Sequence, residues 1–513
     1  MANKLRLRSS ISEKNEQKSR VIVIGAGIGG LTAGALLAKR GYQVTIFDQA
    51  IVPGGCASTF KRRGFTFDVG ATQVAGLEPG GIHHRIFKEI EIEPPIASYC
   101  DPACAVFLPE ETKPINVWRD ADKWQEERQR QFPGSEPFWN LLNRLFEASW
   151  RFQGRDPVLP PRSAWDIWQL VSAVRSDTLI TVPFALMTVA DALKLYGLYE
   201  NKRLKTFLDL QLKLYSQVGT DETALLYAAT ALAVSQAPQG LFHLEGSMQV
   251  LSDRLVEGLE KHGGKLLMRH NVEKIHTESG KVTGVTIRNK KGEIWIEPAD
   301  EVVANVTAQD LVRLTDDKTL NNYERRVEKL PQPSGAFVIY LGVKREAIPE
   351  NCSPHLQFLY NADEVIGENN SLFVSVSKPG DGRAPKGQAT LIASSFTDAD
   401  LWWNRDYDQI KQQYTEEAIA RLNSYFDLSA ENIIYTEAAT PRTFANFTAR
   451  KKGIVGGLGQ RIKTFGPFGF ANRTPVKHLW LVGDSTHPGE GTAGVSYSAL
   501  TVTRQIEANN RIL

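Results

Sequence analysis

Cysteines are few in this chain of 513 residues, and long hydrophobic runs are absent from it. Such low cysteine usage excludes a disulfide framework and predicts free thiols in a reducing compartment. The four cysteines are Cys56, Cys100, Cys104 and Cys352. Cys100 and Cys104 precede no second ligand pair with zinc-like spacing, although His83 and His84 lie nearby, so we expect no metal site.

The distribution of apolar and charged residues also predicts no membrane-spanning segment and no export signal. The longest uncharged run, residues 223–244, contains Pro238 and Gly240, which favour a buried helix and turn over a bilayer crossing. Residues 1–20 carry six basic and two acidic groups without the apolar core of a signal peptide. We therefore expect a basic flexible tail on a cytoplasmic, non-secreted protein; the tail is either a disordered leader or a weak contact with anionic lipid.

The balance of charges excludes a further class of partner. Lys and Arg number 60 and Asp and Glu number 58, so the net charge is only +2. Basic and aromatic residues are not interleaved along the chain, so we expect no nucleic-acid partner. The length exceeds the ~250 to 300 residues that a single core usually supports, which predicts at least two lobes.

What the chain does contain is a complete dinucleotide-binding unit at residues 21–48. An apolar, β-branched run leads into Gly25, Gly27 and Gly30, spaced G-x-G-x-x-G. These glycines permit a tight turn, close approach to a pyrophosphate and close helix–strand packing. The following helix presents its N-terminal N–H groups to the phosphate, and Asp48 ends the second strand, where it can bind a ribose diol. An acid at this position argues against NADP.

Two further glycine-rich segments, together with the dinucleotide-binding unit, indicate a family. Gly54 and Gly55 begin a G-G-x-x-x-T loop, and residues 483–500 read GDSTHPGEGTAGVSYSAL. With the first glycine motif, they resemble the flavin amine oxidase and phytoene desaturase superfamily. That superfamily usually has arginine after the second glycine, whereas Cys56 stands here, as in its carotenoid desaturase and isomerase branches. Residues 54–87 and 483–500 most resemble the cyanobacterial carotenoid 3',4'-desaturases of myxoxanthophyll synthesis.

The resemblance implies an α/β fold with FAD as cofactor. A doubly wound, Rossmann-like, three-layer FAD-binding domain would be interleaved with an α+β substrate domain carrying helical insertions. The FAD-binding parts would be residues 21–74, 245–310 and 441–513, and the substrate parts 75–244 and 311–440. In the superfamily, the residue matching Val272 contacts the adenine end through its backbone, and the acid matching Asp484, after Gly483, binds the ribityl or pyrophosphate portion.

The implied reaction removes two hydrogens from adjacent carbons of a carotenoid, one as hydride to flavin N5 and one as a proton. Glu490 and His487 flank the flavin turn and are candidate proton acceptors, although both also suit a structural turn. The implied partners are a large apolar substrate, an electron acceptor such as quinone or oxygen, and a membrane surface. The uncharged residues 178–190 are the best single candidate for peripheral membrane contact.

Three other functions remain open at this stage. A carotenoid cis-trans isomerase would use the same scaffold without net oxidation. A flavin amine oxidase would require an aromatic cage that the sequence does not identify. A prenyl-lipid carrier of the GDP-dissociation-inhibitor type would share the fold but carry no working flavin.

Overall fold

The structure is a computed structural model that describes residues 19–403 and 406–512. The basic tail predicted for residues 1–20 therefore lies almost wholly outside the described residues. The α-helices, in chain order, are α1 (Ile28–Lys39), α2 (Ile82–Ile90), α3 (Ala121–Gln131), α4 (Glu136–Gln153), α5 (Ala164–Ala173), α6 (Ser176–Leu179), α7 (Val189–Leu195), α8 (Lys202–Ser216), α9 (Leu225–Ala233), α10 (Gln249–Lys261), α11 (Ala308–Leu314), α12 (Asn321–Glu328), α13 (Tyr407–Leu422), α14 (Pro441–Thr448) and α15 (Thr492–Ile512).

The strands follow the same chain order and assemble into separate sheets. They are β1 (Arg20–Ile24), β2 (Gln43–Asp48), β3 (Thr59–Arg62), β4 (Phe65–Asp68), β5 (Val74–Ala75), β6 (Ala97–Tyr99), β7 (Cys104–Phe107), β8 (Ile115–Val117), β9 (Leu241–Leu244), β10 (Lys265–Met268), β11 (His270–Glu278), β12 (Lys281–Asn289), β13 (Ile294–Pro298), β14 (Glu301–Ala304), β15 (Gly335–Lys344), β16 (His355–Leu359), β17 (Ser371–Val376), β18 (Gln388–Thr397), β19 (Ile433–Ala439) and β20 (Leu479–Leu481).

A five-stranded parallel sheet forms the centre of the first lobe, in the order β10-β2-β1-β14-β20. Its strands come from distant parts of the chain, and Ile22 of β1 lies opposite Thr45 on one side and Val302 on the other. The strand, helix and strand predicted for residues 21–48 are confirmed as β1, α1 and β2.

Both faces of this sheet are buried, and the alternation of side chains along β1 explains how. Val21 and Val23 pack with α1, α10 and α15, whereas Ile22 and Ile24 pack with the antiparallel sheet β11-β12-β13 and with α11. Successive side chains of a strand point to opposite faces, so a continuous apolar strand needs a cover on each side. The three-layer, Rossmann-like α/β fold class is confirmed.

The second lobe is built on a seven-stranded sheet in the order β19-β15-β18-β17-β16-β7-β8. One apolar core joins this sheet to α13, and a second core lies among α3, α4, α7, α8 and α9. The domain limits expected from the resemblance stay a prediction, but the chain does cross between the two lobes several times.

The hairpin of β3 and β4 connects the lobes. Phe65 packs so closely on β15 that a Cβ at Gly342 would lie 2.5 Å from its ring. Asp68, at the end of β4, accepts hydrogen bonds from Arg383 Nη2 at 3.2 Å and from the Met248 backbone N–H at 2.8 Å. Because both members of the ion pair are buried, each depends on the other for compensation of its charge.

Candidate functional site

A cavity of about 510 Å³ opens at the carboxyl ends of the parallel strands. Ile24 ends β1, Asp48 ends β2, and Asn305 follows β14, and all three line the cavity. In parallel α/β sheets this edge is where ligands bind, because loops and helix N-termini converge there. The cavity is therefore the candidate site.

The glycine motif forms one wall of the cavity. Leu31 N–H makes the first hydrogen bond within α1, to the Gly27 carbonyl at 2.9 Å, so the preceding N–H groups have no acceptor inside the helix. Gly30 lies behind this wall, where a Cβ would stand 2.0 Å from the Gly25 carbonyl oxygen. The sequence therefore leaves backbone N–H groups and the positive end of the α1 dipole facing the cavity.

Asn305 supports the glycine wall from below. A Cβ on Gly27 would lie 2.8 Å from the Asn305 side-chain nitrogen, and one on Gly29 would lie 2.9 Å from its side-chain oxygen. The Asn305 backbone N–H is fixed by the Ile24 carbonyl at 2.8 Å. The asparagine therefore occupies the volume that side chains on the loop would require.

Asp48 is held in place by backbone groups. Its Oδ2 accepts a hydrogen bond from Ala26 N–H at 2.6 Å, and its Oδ1 accepts one from Ala50 N–H at 2.7 Å. Burial raises the pKa of this carboxyl, and the two N–H donors oppose that rise. A carboxylate oxygen can accept more than one hydrogen bond, so capacity remains for a diol.

A second helix N-terminus faces the same cavity. The long helix α15 begins at Thr492, and Gly491, Thr492 and Val495 line the cavity. Asp484 also lines it, and its Oδ2 lies 2.7 Å from Arg450 Nη2. Two helix dipoles and an arginine thus converge on one site, an arrangement that favours a ligand with negative charge.

Glu490 is the titratable group closest to this second helix. It lines the cavity, and its Oε2 accepts a hydrogen bond from Gln217 Nε2 at 3.1 Å. Its Oε1 is buried, and the backbone N–H of Gly457 also lies near the carboxyl. Burial raises the pKa of Glu490 to about 8, while the Gln217 hydrogen bond opposes that shift. The carboxyl is therefore mainly protonated at neutral pH.

His487 lies in the same turn but in a different environment. Its Nε2 is 2.7 Å from Gln153 Nε2, and its ring packs near Phe465 and Tyr497. Burial lowers the pKa of His487 to about 4, so the ring is neutral. Within the described residues, Glu490 lines the cavity and His487 does not.

The structure brings most of the predicted cofactor residues to one cavity. Those that line it are Gly25, Gly27, Asp48, Gly54, Gly55, Val272 and Asp484. Gly30 and Gly483 do not line it but lie directly behind, against Gly25 and Asn305 respectively. Sequence reasoning missed Asn305, Gln217 and Arg450, because an isolated polar residue far along the chain carries no local signal.

These residues fit a flavin dinucleotide. Gly54 has φ of +116°, a conformation that favours glycine, and a Cβ there would also lie 2.6 Å from the Ser252 hydroxyl. Free helical N–H groups suit a diphosphate, and the carboxylates Asp48 and Asp484 suit sugar hydroxyls. By fold and site geometry, the protein has the architecture of the Rossmann-like, dinucleotide-binding class.

Comparisons with known proteins show what this chain is similar to. The family model described as an NAD(P)-binding Rossmann-like domain matches residues 23–90. Prolycopene isomerase 2 of an Oncidium hybrid cultivar is 26% identical over 501 residues, which cover 95% of this chain and 84% of the relative. The zeta-carotene-forming phytoene desaturase of Myxococcus xanthus is 26% identical over 507 residues, covering 96% and 94%.

Solved structures agree on the fold. Cyclohexylamine oxidase from Brevibacterium oxydans superposes with a TM-score of 0.62 at 15% identity, covering 96% of this chain and all of that one. Together these similarities support the flavin amine oxidase and phytoene desaturase superfamily and an oxidoreductase activity. The part of the chain that the structure describes contains no helix both long and apolar enough to cross a bilayer.

Proposed function

We propose that the protein is an FAD-dependent carotenoid desaturase acting on CH–CH bonds. The observation that carries this proposal is similarity along almost the whole chain to relatives named as prolycopene isomerase and phytoene desaturase. Bound FAD would supply the two-electron acceptor that the protein side chains lack. The glycine loops, Asp48, Asp484 and the N-termini of α1 and α15 would hold it.

The proposal also specifies which carbon–carbon bond of the carotenoid is desaturated. Residues 54–87 and 483–500 resemble the carotenoid 3',4'-desaturases, so we propose C-3',4' desaturation of an acyclic or monocyclic carotenoid. A quinone or oxygen would then reoxidise the cofactor. Each turnover removes a hydride and a proton from adjacent carbons, so it requires one hydride acceptor and one proton acceptor.

Glu490 is the proposed proton-handling residue. It is a carboxyl in the cavity wall, and its Oε1 is buried. As a carboxylate it can accept the substrate proton, and Gln217 would orient it by donating to the other oxygen. His487 is not proposed for this role because its neutral ring packs outside the cavity lining.

A carotenoid cis-trans isomerase is the second candidate function, and one observation favours it. Because the pKa of Glu490 is raised to about 8, the group is an acid at neutral pH. A protonated carboxyl beside the substrate can donate a proton and take it back. This suits cis-trans isomerisation, which involves no net oxidation. The relatives named as prolycopene isomerases belong to the same set of matches.

We also propose that the protein takes its substrate from a membrane surface. Large apolar side chains are exposed along α5–α7 and the loops between them, and we call these residues the apolar surface: Ile167, Trp168, Val171, Val174, Leu179, Ile180, Val182, Leu186, Leu195 and Tyr196. Such a concentration is rare on a monomer that meets only water.

The charges around the apolar surface fit an anionic bilayer. Within residues 162–196, Arg162, Arg175 and Lys194 are exposed, whereas the three acidic residues of that range, Asp166, Asp177 and Asp191, are buried or half-buried. Asp177, for example, is paired with Arg155 at 2.9 Å. Exposed basic side chains in the same segment as exposed apolar ones are typical of proteins that lie in the headgroup region.

Vesicle sedimentation tests the membrane contact. The double variant Trp168→Ser, Leu179→Ser should lose binding to phosphatidylcholine and phosphatidylglycerol vesicles. A matched control, Ile296→Ser with Val365→Ser, removes equally exposed apolar side chains outside the apolar surface and should bind like the unmodified protein. Equal sedimentation of the two double variants would refute this contact.

Anaerobic turnover tests the reaction itself. The FAD-loaded protein is mixed with an acyclic or monocyclic 1'-hydroxycarotenoid, and the flavin absorbance and product mass are followed. Flavin bleaching with a product two hydrogens lighter supports the desaturase. An unchanged mass with altered double-bond geometry supports the isomerase. Amine-dependent peroxide formation would instead indicate an amine oxidase, and a protein that binds no flavin would support the carrier.

A further inference from the structure

Arg450 is the most enclosed cation of the candidate site. It lies two residues beyond the end of α14, which packs on the Gly55–Ala57 turn, and only 21% of its side chain is exposed. Nη1 donates to the Gly456 carbonyl at 3.1 Å, and Nη2 lies 2.7 Å from Asp484 Oδ2. A guanidinium has five N–H groups, so these two contacts leave further donors on a side chain that lines the cavity.

Acidic side chains outnumber arginines in the cavity lining. Four carboxyl groups line it: Asp48, Asp310, Asp484 and Glu490. Arg313 is the other arginine in the lining, but 52% of its side chain is exposed and it pairs with Asp310 at 3.1 Å. Within this lining, Arg450 is thus the less exposed of the two arginines and the one better placed to face a phosphate.

The paired glycines of the phosphate-facing loop are followed by a neutral side chain. Burial raises the pKa of the Cys56 thiol, so the group carries no charge at neutral pH. Arg450 lies near enough to Cys56 to influence that pKa, although the two residues are almost 400 positions apart. Tertiary packing therefore places a guanidinium near the loop that contains Gly54, Gly55 and Cys56.

We propose that Arg450 binds the diphosphate of the flavin dinucleotide. This inference rests on the proposed FAD-dependent function and adds a binding residue to it. The planar guanidinium suits two phosphate oxygens, and the free N–H groups of α1 complete the contact. The contact of Nη2 with Asp484 holds the guanidinium in position.

Binding of cofactor fragments to the flavin-free protein tests the proposal without using turnover. ADP carries the diphosphate without the flavin, and riboflavin carries the flavin and ribityl chain without phosphate. Arg450→Met should weaken ADP and FAD binding by about 10- to 100-fold, the usual effect of losing a charge-assisted hydrogen bond, and leave riboflavin binding unchanged. Arg450→Lys keeps the positive charge, so its affinity for ADP and FAD should lie between those of the unmodified protein and the Arg450→Met variant.

Lys452→Met is the matched control, because it removes a positive charge from the same segment at an exposed side chain paired with Asp400. It should bind all three ligands like the unmodified protein. Thermal unfolding without ligand shows whether each variant is folded. If the unmodified protein binds neither FAD nor ADP, the proposed function and this inference both fail.

Two other results would overturn the inference alone. Unchanged ADP affinity in a folded Arg450→Met variant would mean that Arg450 does not meet the diphosphate. Loss of riboflavin affinity with ADP affinity retained would mean that Arg450 acts only by orienting Asp484 toward the ribityl chain. The Arg450→Lys variant gives the same comparison if the methionine variant does not fold.

Discussion

Replacing Glu490 with glutamine should remove the pH dependence of the chemical step. The structure places this carboxyl in the cavity wall, and burial raises its pKa from 4.5 to about 8. A group with that pKa is ionised in about one molecule in ten at pH 7 and in about nine in ten at pH 9. A desaturase that uses the carboxylate as base should therefore speed up about tenfold over this range, whereas an isomerase that uses the acid should slow by a similar factor.

The assay is single-turnover kinetics with saturating carotenoid at a series of pH values. Desaturation is followed by flavin absorbance and isomerisation by the product spectrum. Glu490→Gln should be slower at its optimum and should lose the transition near pH 8. His487→Gln, in the same turn but outside the cavity lining, should keep that transition. If Glu490→Gln retains the pH profile of the unmodified protein, Glu490 does not handle the proton.

Three further predictions concern stability and cofactor binding. Because the folded-state pKa of Glu490 lies above its unfolded value, the folded protein should lose stability as the pH rises from 4.5 toward 8; denaturant unfolding of Glu490→Gln should not show this loss. Gly30→Ala places a Cβ 2.0 Å from the Gly25 carbonyl oxygen and should cost about 1–3 kcal/mol of unfolding free energy. It should also abolish flavin binding, measured by titration, and normal flavin affinity would contradict the packing role of Gly30. Arg383→Met leaves the buried Asp68 without its partner and should cost about 3–5 kcal/mol in chemical unfolding, and an unchanged midpoint would show that the ion pair is not structural.

Short segments of sequence predicted the parts of the fold that depend on local pattern. The burial of β1 on both faces, the glycine spacing and the acid at the end of β2 all follow from residues within one strand, helix and strand. Steric requirements of this kind involve residues close together in the sequence, so the sequence pattern is enough to predict them.

The sequence predicted the site less completely than the fold, because the position of a side chain in the site depends on packing. Gly30 and Gly483 belong to recognisable motifs, yet they support the cavity wall from behind rather than line it. Glu490 and His487 are three positions apart, and the sequence gives them equal standing. The turn directs one into the cavity and packs the other against Phe465 and Tyr497.

By itself, the sequence determined the dinucleotide-binding unit, the α/β class and the two glycine-rich ends of the site. Only the tertiary structure decided that Arg450 lies beside Cys56, that Gln217 bonds to Glu490 and that the apolar surface gathers on one segment. The physical reason is the range of the interactions. Backbone geometry is fixed by neighbouring residues, whereas the charge, burial and pKa of a site depend on groups that only long-range packing brings together.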